Sequence, residues 1–467
     1  MRTKEILDIE SLLSKLDKEH LCEFIKAECA NNRQLKQRFL ALGAGTIFTP
    51  KYTDYQSRVE DIIEDFGGRR GYVSYRDTFA LNRSVSEIID EADEAMSNHR
   101  WEVAIAILEG VAAAGEDIIS CGDDSAGELG CIVEDCFTKW HELCHEELLP
   151  AEVKAKIFEL SISYFEKGHL KGYDWWWDWI EMAIMLADTP QKQERIVNIL
   201  DIIINTHSDD WNIKYNAQTA QRYKLKVMSR SGTPEEQLRF MYDNVGNPDF
   251  RQKLLQLSWD KGDYEEVLRL AKDGVKHDSQ YMGLVNDWHK WELKTYRHKN
   301  DKANILKLAQ YFFFARGGFR EKEYSMEAMY ALMKSIVSNE KWNGFVDSLI
   351  KEASKKTTEV EELFIYTQEK MWDRYMDFLR KEPSTYRLND APQEVWKLYK
   401  EELIQLYASC VKLSFQRASD RNSYRNGVAL LRQLIKYGGK NEVDAIVEGL
   451  KNRHPRRPAL LDELSKL

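Results

Sequence analysis

Hydrophobic residues recur along most of this chain with the spacing of an α-helix. One such stripe falls at i, i+3, i+4, i+7 and i+11: Val85, Ile88, Ile89, Ala92 and Met96. A second stripe follows the turn residues 97–100: Trp101, Ala104, Ile105, Leu108 and Val111. Neither helix can bury its stripe alone, so the pattern predicts a helical hairpin that packs against neighbouring hairpins.

Helix start and stop signals repeat this unit further along the chain. Thr233 and Glu236 form a predicted capping box, with Pro234 at the first helical position. The Gly-Asp-Tyr turn at 262–264 resembles the turn between the helices of a tetratricopeptide repeat. The best strand candidate, residues 72–75, lies in a connector. We therefore predict an all-α fold: a right-handed, tetratricopeptide-like α-solenoid of antiparallel helical hairpins, about ten to thirteen pairs.

The length of the chain limits how it can be organised. At 467 residues it exceeds the roughly 250–300 residues at which one globular core stops growing. No break in composition divides it sharply, so the sequence predicts one continuous superhelix over residues 1–467. The segments 43–83 and 205–235 are richer in polar and turn residues, and they are the predicted soft boundaries of this array.

Charge is distributed unevenly along the chain, whose net charge is −10. Between Ser84 and Pro150 there are 17 acidic residues against two basic ones. Between Lys412 and Leu467 there are 12 basic residues against six acidic ones. These two regions should carry electrostatic fields of opposite sign, which bears on the partners of the protein rather than on its fold.

Targeting signals and cysteines both indicate a cytoplasmic protein. No stretch reaches the roughly 18 consecutive apolar residues of a membrane span, and the acid-rich N-terminus does not resemble a secretory signal. The seven cysteines are scattered without a CxxC pair, which favours reduced thiols. Four of them lie in amphipathic patterns and are predicted to be small core residues: Cys22, Cys29, Cys136 and Cys410.

The sequence His141-Glu142-Leu143-Cys144-His145 matches HExxH, in which two histidines on one helix face bind zinc and the glutamate acts as a base. Alternatively, the histidines only flank a core stripe on the same helix: Leu129, Ile132, Val133, Cys136, Phe137, Trp140 and Cys144. A zinc hydrolase needs a third ligand, for which Glu166 and His169 are the candidates, and a strand beside the substrate, which the sequence does not offer nearby. We favour the core-flanking interpretation.

The segment 121–128, Cys-Gly-Asp-Asp-Ser-Ala-Gly-Glu, bunches acidic residues in a loop. Asp123, Asp124 and Glu128 could bind a hard cation, but the alternating oxygen ligands of a calcium loop are missing. The alternative, which we favour, is a helix start. In this interpretation Ser125 is the N-cap, Glu128 closes the capping box, and the aspartates lie at the positive end of the helix dipole.

A run of tryptophans is the most unusual feature of the sequence: Trp175, Trp176, Trp177 and Trp179. Three adjacent tryptophans point in different directions around a helix, so they cannot all enter one stripe. The run predicts a helix packed between two others, which we favour. The alternative is an aromatic platform for a partner, because tryptophan is enriched at interface hot spots.

The C-terminal end is rich in basic residues with an interleaved tyrosine: Arg421, Tyr424, Arg425, Arg453, His454, Arg456 and Arg457. Such a patch could bind the phosphates of a nucleic acid. The alternative is that these arginines close the end of a solenoid by pairing with acidic residues. The acidic balance of the whole chain favours the second interpretation.

Three stretches together resemble a known group of proteins. They are the WEVAI of 101–105, the DDSAGELG of 123–130, and the terminal DRNSY of 420–424 with RHPRRPALLDEL of 453–464. The chain, from about Leu40 onward, resembles the helical-repeat region that follows the finger in bacterial SWIM zinc-finger proteins, and related stand-alone proteins of unknown function. The CxC that begins the SWIM finger is absent, so the resemblance implies a helical-repeat scaffold without zinc and names no catalytic residue.

No phosphate-binding loop, dinucleotide-binding motif or nucleophile elbow occurs in the sequence. We therefore expect a non-enzymatic, cytoplasmic helical-repeat scaffold that binds another protein and needs no cofactor and no membrane. Residues 84–150 and the tryptophan run are the favoured contacts. Nucleic-acid binding through the basic C-terminal end is one alternative. A metal-dependent hydrolase using His141, Glu142 and His145 is the other.

Overall fold

The computed structural model describes residues 13, 16–32, 35–36, 39, 50–68, 71–206, 208, 210–315, 321–356 and 358–467. Within these ranges helices follow one another through short turns, and no β-strand is formed. Chain-consecutive helices pack against each other as hairpins. The prediction of an all-α repeat array is confirmed.

The chain divides into two compact units, 1–251 and 252–467. The helices that begin in the first unit are α1 Lys18–Asn31, α2 Tyr52–Phe66, α3 Tyr75–Ser97, α4 Trp101–Ala113, α5 Gly115–Ser120, α6 Glu128–His145, α7 Ala151–Lys167, α8 Trp175–Met185, α9 Pro190–Ile204, α10 Trp211–Ser231, α11 Pro234–Asp243 and α12 Pro248–Asp260.

The helices that begin in the second unit are α13 Tyr264–His277, α14 Met282–His298, α15 Lys302–Phe313, α16 Met326–Ile336, α17 Asn339–Lys356, α18 Glu359–Gln368, α19 Trp372–Lys381, α20 Thr385–Asn389, α21 Gln393–Leu398, α22 Lys400–Arg417, α23 Arg421–Lys436, α24 Lys440–Arg453 and α25 Pro458–Leu464. A short 3₁₀ helix spans Lys322–Tyr324.

The boundary between the units lies within α12, after Arg251. It coincides with neither soft segment predicted from composition. Part of the 43–83 segment lies outside the described residues, and 211–231 of the other segment form helix α10. The single superhelix over the whole chain stays a prediction. The division also separates charge, because the first unit carries 29 basic against 45 acidic residues and the second carries 38 against 32.

Helix α4 lies at the centre of the first unit. Ten of its residues are buried, and it contacts α2, α3, α5, α6 and α7. Its sequence explains this position, because WEVAIAILEGVAA carries apolar residues all round the helix and can become dry only between several neighbours. The predicted hairpin of α3 and α4 is confirmed, with its turn at 98–100.

Helix α2 approaches α4 closely because Gly110 has no side chain. A Cβ built on Gly110 would lie 2.6 Å from the carbonyl oxygen of Tyr52 and 2.6 Å from the Cβ of Tyr55. Backbone atoms cannot turn aside as a side chain does, so this contact fixes the spacing of the two helices. Arg58 on α2 adds a bidentate ion pair with Glu91 on α3, at 2.5 and 2.8 Å.

Local signals in the sequence are reproduced at several turns. Thr233 accepts a hydrogen bond from the amide of Glu236, and Glu236 accepts one from the amide of Thr233, so this capping box is confirmed. Asp263 caps α13 after Gly262, whose φ is +75°. The predicted strand candidate contributes one isolated bridge, in which Val73 pairs with Gly122 of the acidic loop.

The cysteine predictions fare unevenly. Cys136 is buried, and burial raises the pKa of its thiol. Cys29 and Cys410 are partly buried. Cys22 is exposed, so its predicted place in the core is wrong: α1 contains no buried residue, and its apolar positions therefore have no core to enter.

We predict that Gly110→Ala destabilises the first unit by about 1–3 kcal/mol, because the added methyl group overpacks the contact between α2 and α4. The free energy of unfolding would be measured by hydrogen exchange of peptides from residues 52–185 in increasing urea, which reports on this unit alone.

Gly130→Ala is the matched control, on helix α6 of the same unit. Its Cβ would lie 3.5 Å from Oδ2 of Asp124 and 3.6 Å from the Trp175 ring, which are ordinary contacts. We expect the free energy of unfolding to stay within about 1 kcal/mol of the wild type. Equal losses in the two variants would show that the helix spacing is not fixed at Gly110.

Candidate functional site

Helix α6 carries the HExxH sequence beside its buried stripe. All seven stripe residues, from Leu129 to Cys144, are buried as predicted. The Nε2 atom of His141 lies 2.9 Å from Oδ1 of Asp178 on α8, and its Nδ1 atom lies 3.4 Å from the sulfur of Met185. His145 is exposed, and its Nδ1 donates to the carbonyl oxygen of His141 at 2.8 Å. The two histidines are therefore used in separate interactions.

Within the described ranges, no group of three or more His, Cys, Asp or Glu side chains is arranged to hold a metal ion. Glu142 forms an ion pair with Lys139 at 2.9 Å instead of facing a metal position. Of the two third-ligand candidates, Glu166 is exposed, and His169 packs its ring against Tyr164 and Trp179.

The acidic loop 121–128 forms the start of α6 by a different arrangement from the one predicted. Asp124 accepts hydrogen bonds from the amides of Leu129 and Gly130, at 2.7 and 3.2 Å. Ser125 instead donates to Asp123, and these bonds lower the pKa of the Asp123 carboxyl.

The predicted N-cap at Ser125 and the capping box through Glu128 are therefore wrong. Gly127 adopts φ +78° and is itself the N-cap, so the helix begins at Glu128, two residues later than an N-cap at Ser125 would place it, and the side chain of Asp124 meets the first amides. Because Asp123 accepts hydrogen bonds from Ser125 of the loop and Asp124 accepts them from the first turn of α6, their arrangement is that of a helix start.

The tryptophan run forms the beginning of α8, and most of it enters the core. Trp176, Trp177 and Trp179 are buried, with Trp176 stacked on Phe165 at 4.5 Å between ring centroids. Trp175 is partly buried, and its Nε1 donates to Glu134 at 2.7 Å. The three buried rings offer no aromatic platform at the surface. The packing is that of a helix between neighbours, because α8 contacts α6, α7, α9 and α10.

A cleft of about 440 Å³ lies between α8 and α10 in the first unit. Acidic side chains from α8 and its N-cap line one wall: Asp174, Asp178 and Glu181. Side chains of α10 line the other wall: Tyr215, Thr219, Arg222, Tyr223 and Lys226. Trp177 reaches across at the base and stacks on Tyr223 at 5.4 Å between centroids. Cavities of this size with a few convergent polar groups are typical of binding sites.

One end of the cleft is closed by paired charges. Lys226 forms an ion pair with Glu181, and the hydroxyl of Tyr223 donates to Glu181 at 3.3 Å. Burial alone would raise the pKa of Glu181, but its bonds to Lys226 outweigh burial and lower it. Arg222 pairs with Asp249 at 3.1 Å and donates to Thr219 at 2.8 Å.

The opposite end of the cleft is acidic and open. Asp174 is exposed and has no ion-pair partner among the residues that the structure describes. One turn further along α8, Asp178 is half-buried, and burial raises the pKa of its carboxyl despite the bond to His141.

An exposed aromatic pair stands at this end of the cleft. Trp211 and Tyr215 stack at 5.3 Å between centroids with their planes 16° apart, and their side chains are 61% and 37% exposed. Sequence reasoning missed these residues and the cleft. One signal was available, because α10 carries aromatic residues at 211, 215 and 223 and five basic residues without an acidic one.

One arginine of the basic C-terminal end is held by acidic partners, and another is held by a tyrosine. Arg421 pairs with Asp462 at 2.9 Å and lies 3.6 Å from Glu463. Arg457 donates to the hydroxyl of Tyr424, whose ring is buried and cannot stack on a base.

The remaining arginines of this end lie apart from those pairs. Arg453 donates from Nε to the carbonyl oxygen of Gly449 on its own helix, at 3.3 Å. Arg425 and Arg456 are exposed. The structure thus places part of the predicted phosphate-binding set in contacts that close the end of the second unit.

Comparisons with known proteins name no function. No protein-family model matches the chain, and no curated protein matches it. A solved structure described as a circular tandem repeat protein with novel repeat topology and enhanced subunit contact surfaces aligns over 89% of this chain and 97% of its own, at 11% identity. Its TM-score is 0.20, so the fold assignment rests on the helices of this chain alone.

No helix within the described ranges is both long enough and apolar enough to cross a membrane.

We predict that the purified protein takes up no stoichiometric zinc, because His141 and His145 bond to separate oxygens and no third ligand joins them among the residues that the structure describes. After dialysis against zinc and then buffer, metal content would be measured by mass spectrometry for the wild type and for His141→Ala/His145→Ala. Equal, sub-stoichiometric values are expected. One zinc per chain that disappears in the variant would revive the hydrolase alternative.

His169 makes the stability of the first unit depend on pH. Burial lowers the pKa of its imidazole, although Glu116 and the backbone of Ala113 partly offset this. The folded-state pKa therefore lies below the unfolded value of about 6.5. As the pH falls below about 6.5, the unfolded chain binds a proton that the folded chain does not, so stability decreases.

We expect His169→Phe, which keeps an aromatic ring but cannot be protonated, to reduce the loss of unfolding free energy at low pH. Urea midpoints of the first unit would be compared between about pH 7.5 and pH 5.5. His145→Gln, at an exposed histidine of the same unit, is the control and should keep the wild-type slope. An unchanged slope in His169→Phe would assign the pH dependence to other groups.

Proposed function

We propose that this protein is a non-catalytic helical-repeat scaffold that binds another protein in the cytoplasm, and that the end of the α8–α10 cleft at Trp211 and Tyr215 is the contact surface. The observation that carries the proposal is the stacked, exposed pair of these two rings beside an open cleft. Helical arrays commonly present such surfaces to partners without chemistry of their own.

The composition of this surface supports a protein partner. Tryptophan and tyrosine bring large contact areas at low conformational cost, and both are enriched among residues that dominate binding energy. Here the two rings are stacked on consecutive turns of α10, so little side-chain freedom remains to be lost when a partner covers them. The seven unpaired cysteines are consistent with a reducing compartment.

The favoured contacts from the sequence are refined by this proposal. Residues 84–150 contribute their negative charge around the first unit, and the tryptophan run contributes Trp177 to the base of the cleft. The resemblance to SWIM-associated repeats remains a proposal as well, and it agrees with a scaffold that has no finger.

The test is affinity capture with the tagged full-length chain from cells that express it. Trp211→Ala/Tyr215→Ala should lose a protein that the wild type retains, because removing a hot-spot ring costs about 2 kcal/mol or more, which is roughly 30-fold in affinity.

Tyr386→Ala is the matched control, because Tyr386 is 75% exposed and lies in the second unit. It should retain the partner as the wild type does. If the captured proteins are the same for all three chains, the aromatic pair is not the contact surface and the proposal fails.

A further inference from the structure

The open end of the α8–α10 cleft has a chemistry that selects among partners. Its two carboxylates, Asp174 and Asp178, lie one helical turn apart on the same wall. The facing wall brings the exposed ring of Tyr215, and the hydroxyl of Thr219 lies one turn further along α10. A cleft that joins carboxylates to an aromatic ring suits a cation that is flat and rich in N–H donors.

We propose that this end of the cleft binds an arginine side chain from a basic segment of the protein partner. The inference rests on the proposed function and adds the chemistry of the partner to it. A guanidinium group can donate two parallel hydrogen bonds to a carboxylate while its face lies on an aromatic ring. An ammonium group makes a point contact and uses the ring less fully.

The basic residues of the cleft do not cancel this acidic end. Lys226 is neutralised by Glu181, and Arg222 by Asp249, which is outside the cleft lining. Asp174 then remains as an exposed carboxylate without an ion-pair partner among the described residues.

Asp178 adds a second acceptor that is already oriented. Its Oδ1 lies 2.9 Å from Nε2 of His141, which leaves Oδ2 for a ligand. Burial raises the pKa of the Asp178 carboxyl, and an incoming cation would lower that pKa again.

The charge of the whole first unit favours the same partner. It carries 45 acidic against 29 basic residues, so a basic segment is attracted before it makes contact, whereas a nucleic acid is repelled. The shape agrees, because a cleft of about 440 Å³ accepts one long side chain together with part of its backbone.

The experiment is calorimetry on the full-length protein with a peptide of alternating glycine and arginine as the probe. In two matched peptides, lysine or glutamine replaces every arginine. Spermidine serves as a free polyamine. We expect the arginine peptide to bind most tightly, the lysine peptide more weakly, and the glutamine peptide not at all.

Asp174→Asn should weaken the arginine peptide by about tenfold, the loss expected for one charged hydrogen bond. Glu147→Gln removes the same charge from an exposed loop of the first unit outside the cleft and should change affinity by less than about twofold. Tyr215→Ala, which keeps every charge, should reduce the preference for arginine over lysine.

Equal weakening by Asp174→Asn and Glu147→Gln would assign binding to the general field of the unit and overturn the inference. Absence of binding at low salt, or spermidine binding as tightly as the arginine peptide, would also overturn it. Circular dichroism would check that Asp174→Asn is folded, which we expect because the position is exposed.

Failure of this inference can be told apart from failure of the proposed function. If Asp174→Asn retains the captured partner and Trp211→Ala/Tyr215→Ala loses it, the scaffold function stands and the arginine site does not. If Trp211→Ala/Tyr215→Ala also retains the partner, the proposed function itself fails.

Discussion

The packing of the first unit depends on one constraint: helix α4 must be shielded from water on nearly every side. Its apolar residues surround the helix, so no single partner helix can cover them. Five neighbouring helices share that burial, and Gly110 lets one of them approach to backbone contact. Helices α6 and α7 pack on α4, and α8 with its tryptophans packs in turn on α6 and α7.

The cleft follows from the way those layers end. The buried rings of α8 hold this helix against α6 and α7, so its acidic side, with Asp174 and Asp178, is left facing α10. The stack of Trp177 on Tyr223 and the ion pair of Glu181 with Lys226 join the two helices at one end. Because these contacts close only that end, the other remains open and acidic. The cleft is thus the part of the space between α8 and α10 that core side chains do not fill.

Periodicity predicted the helices well because it records which face of each helix is buried. The stripes of α3, α4 and α6 lie where the spacing put them, and the capping box at Thr233 is formed as expected. The start of α6 was mispredicted because Gly127 adopts a left-handed conformation, which moves the first helical amides toward Asp124. The residue types of a capping-box motif do not specify that backbone angle.

The cleft lies beyond what periodicity can predict, because it depends on contacts between segments about 40 residues apart. The sequence shows tryptophans at 175–177 and 179, but only packing decides which ring becomes core and which lines a cavity. The same holds for HExxH, where His141 bonds to Asp178 of another helix. In both cases the sequence identifies the unusual residues, while the packing of distant helices decides which groups they contact. For a helical array, functional prediction from sequence is therefore strongest for what a helix buries and weakest for what two non-adjacent helices leave open between them.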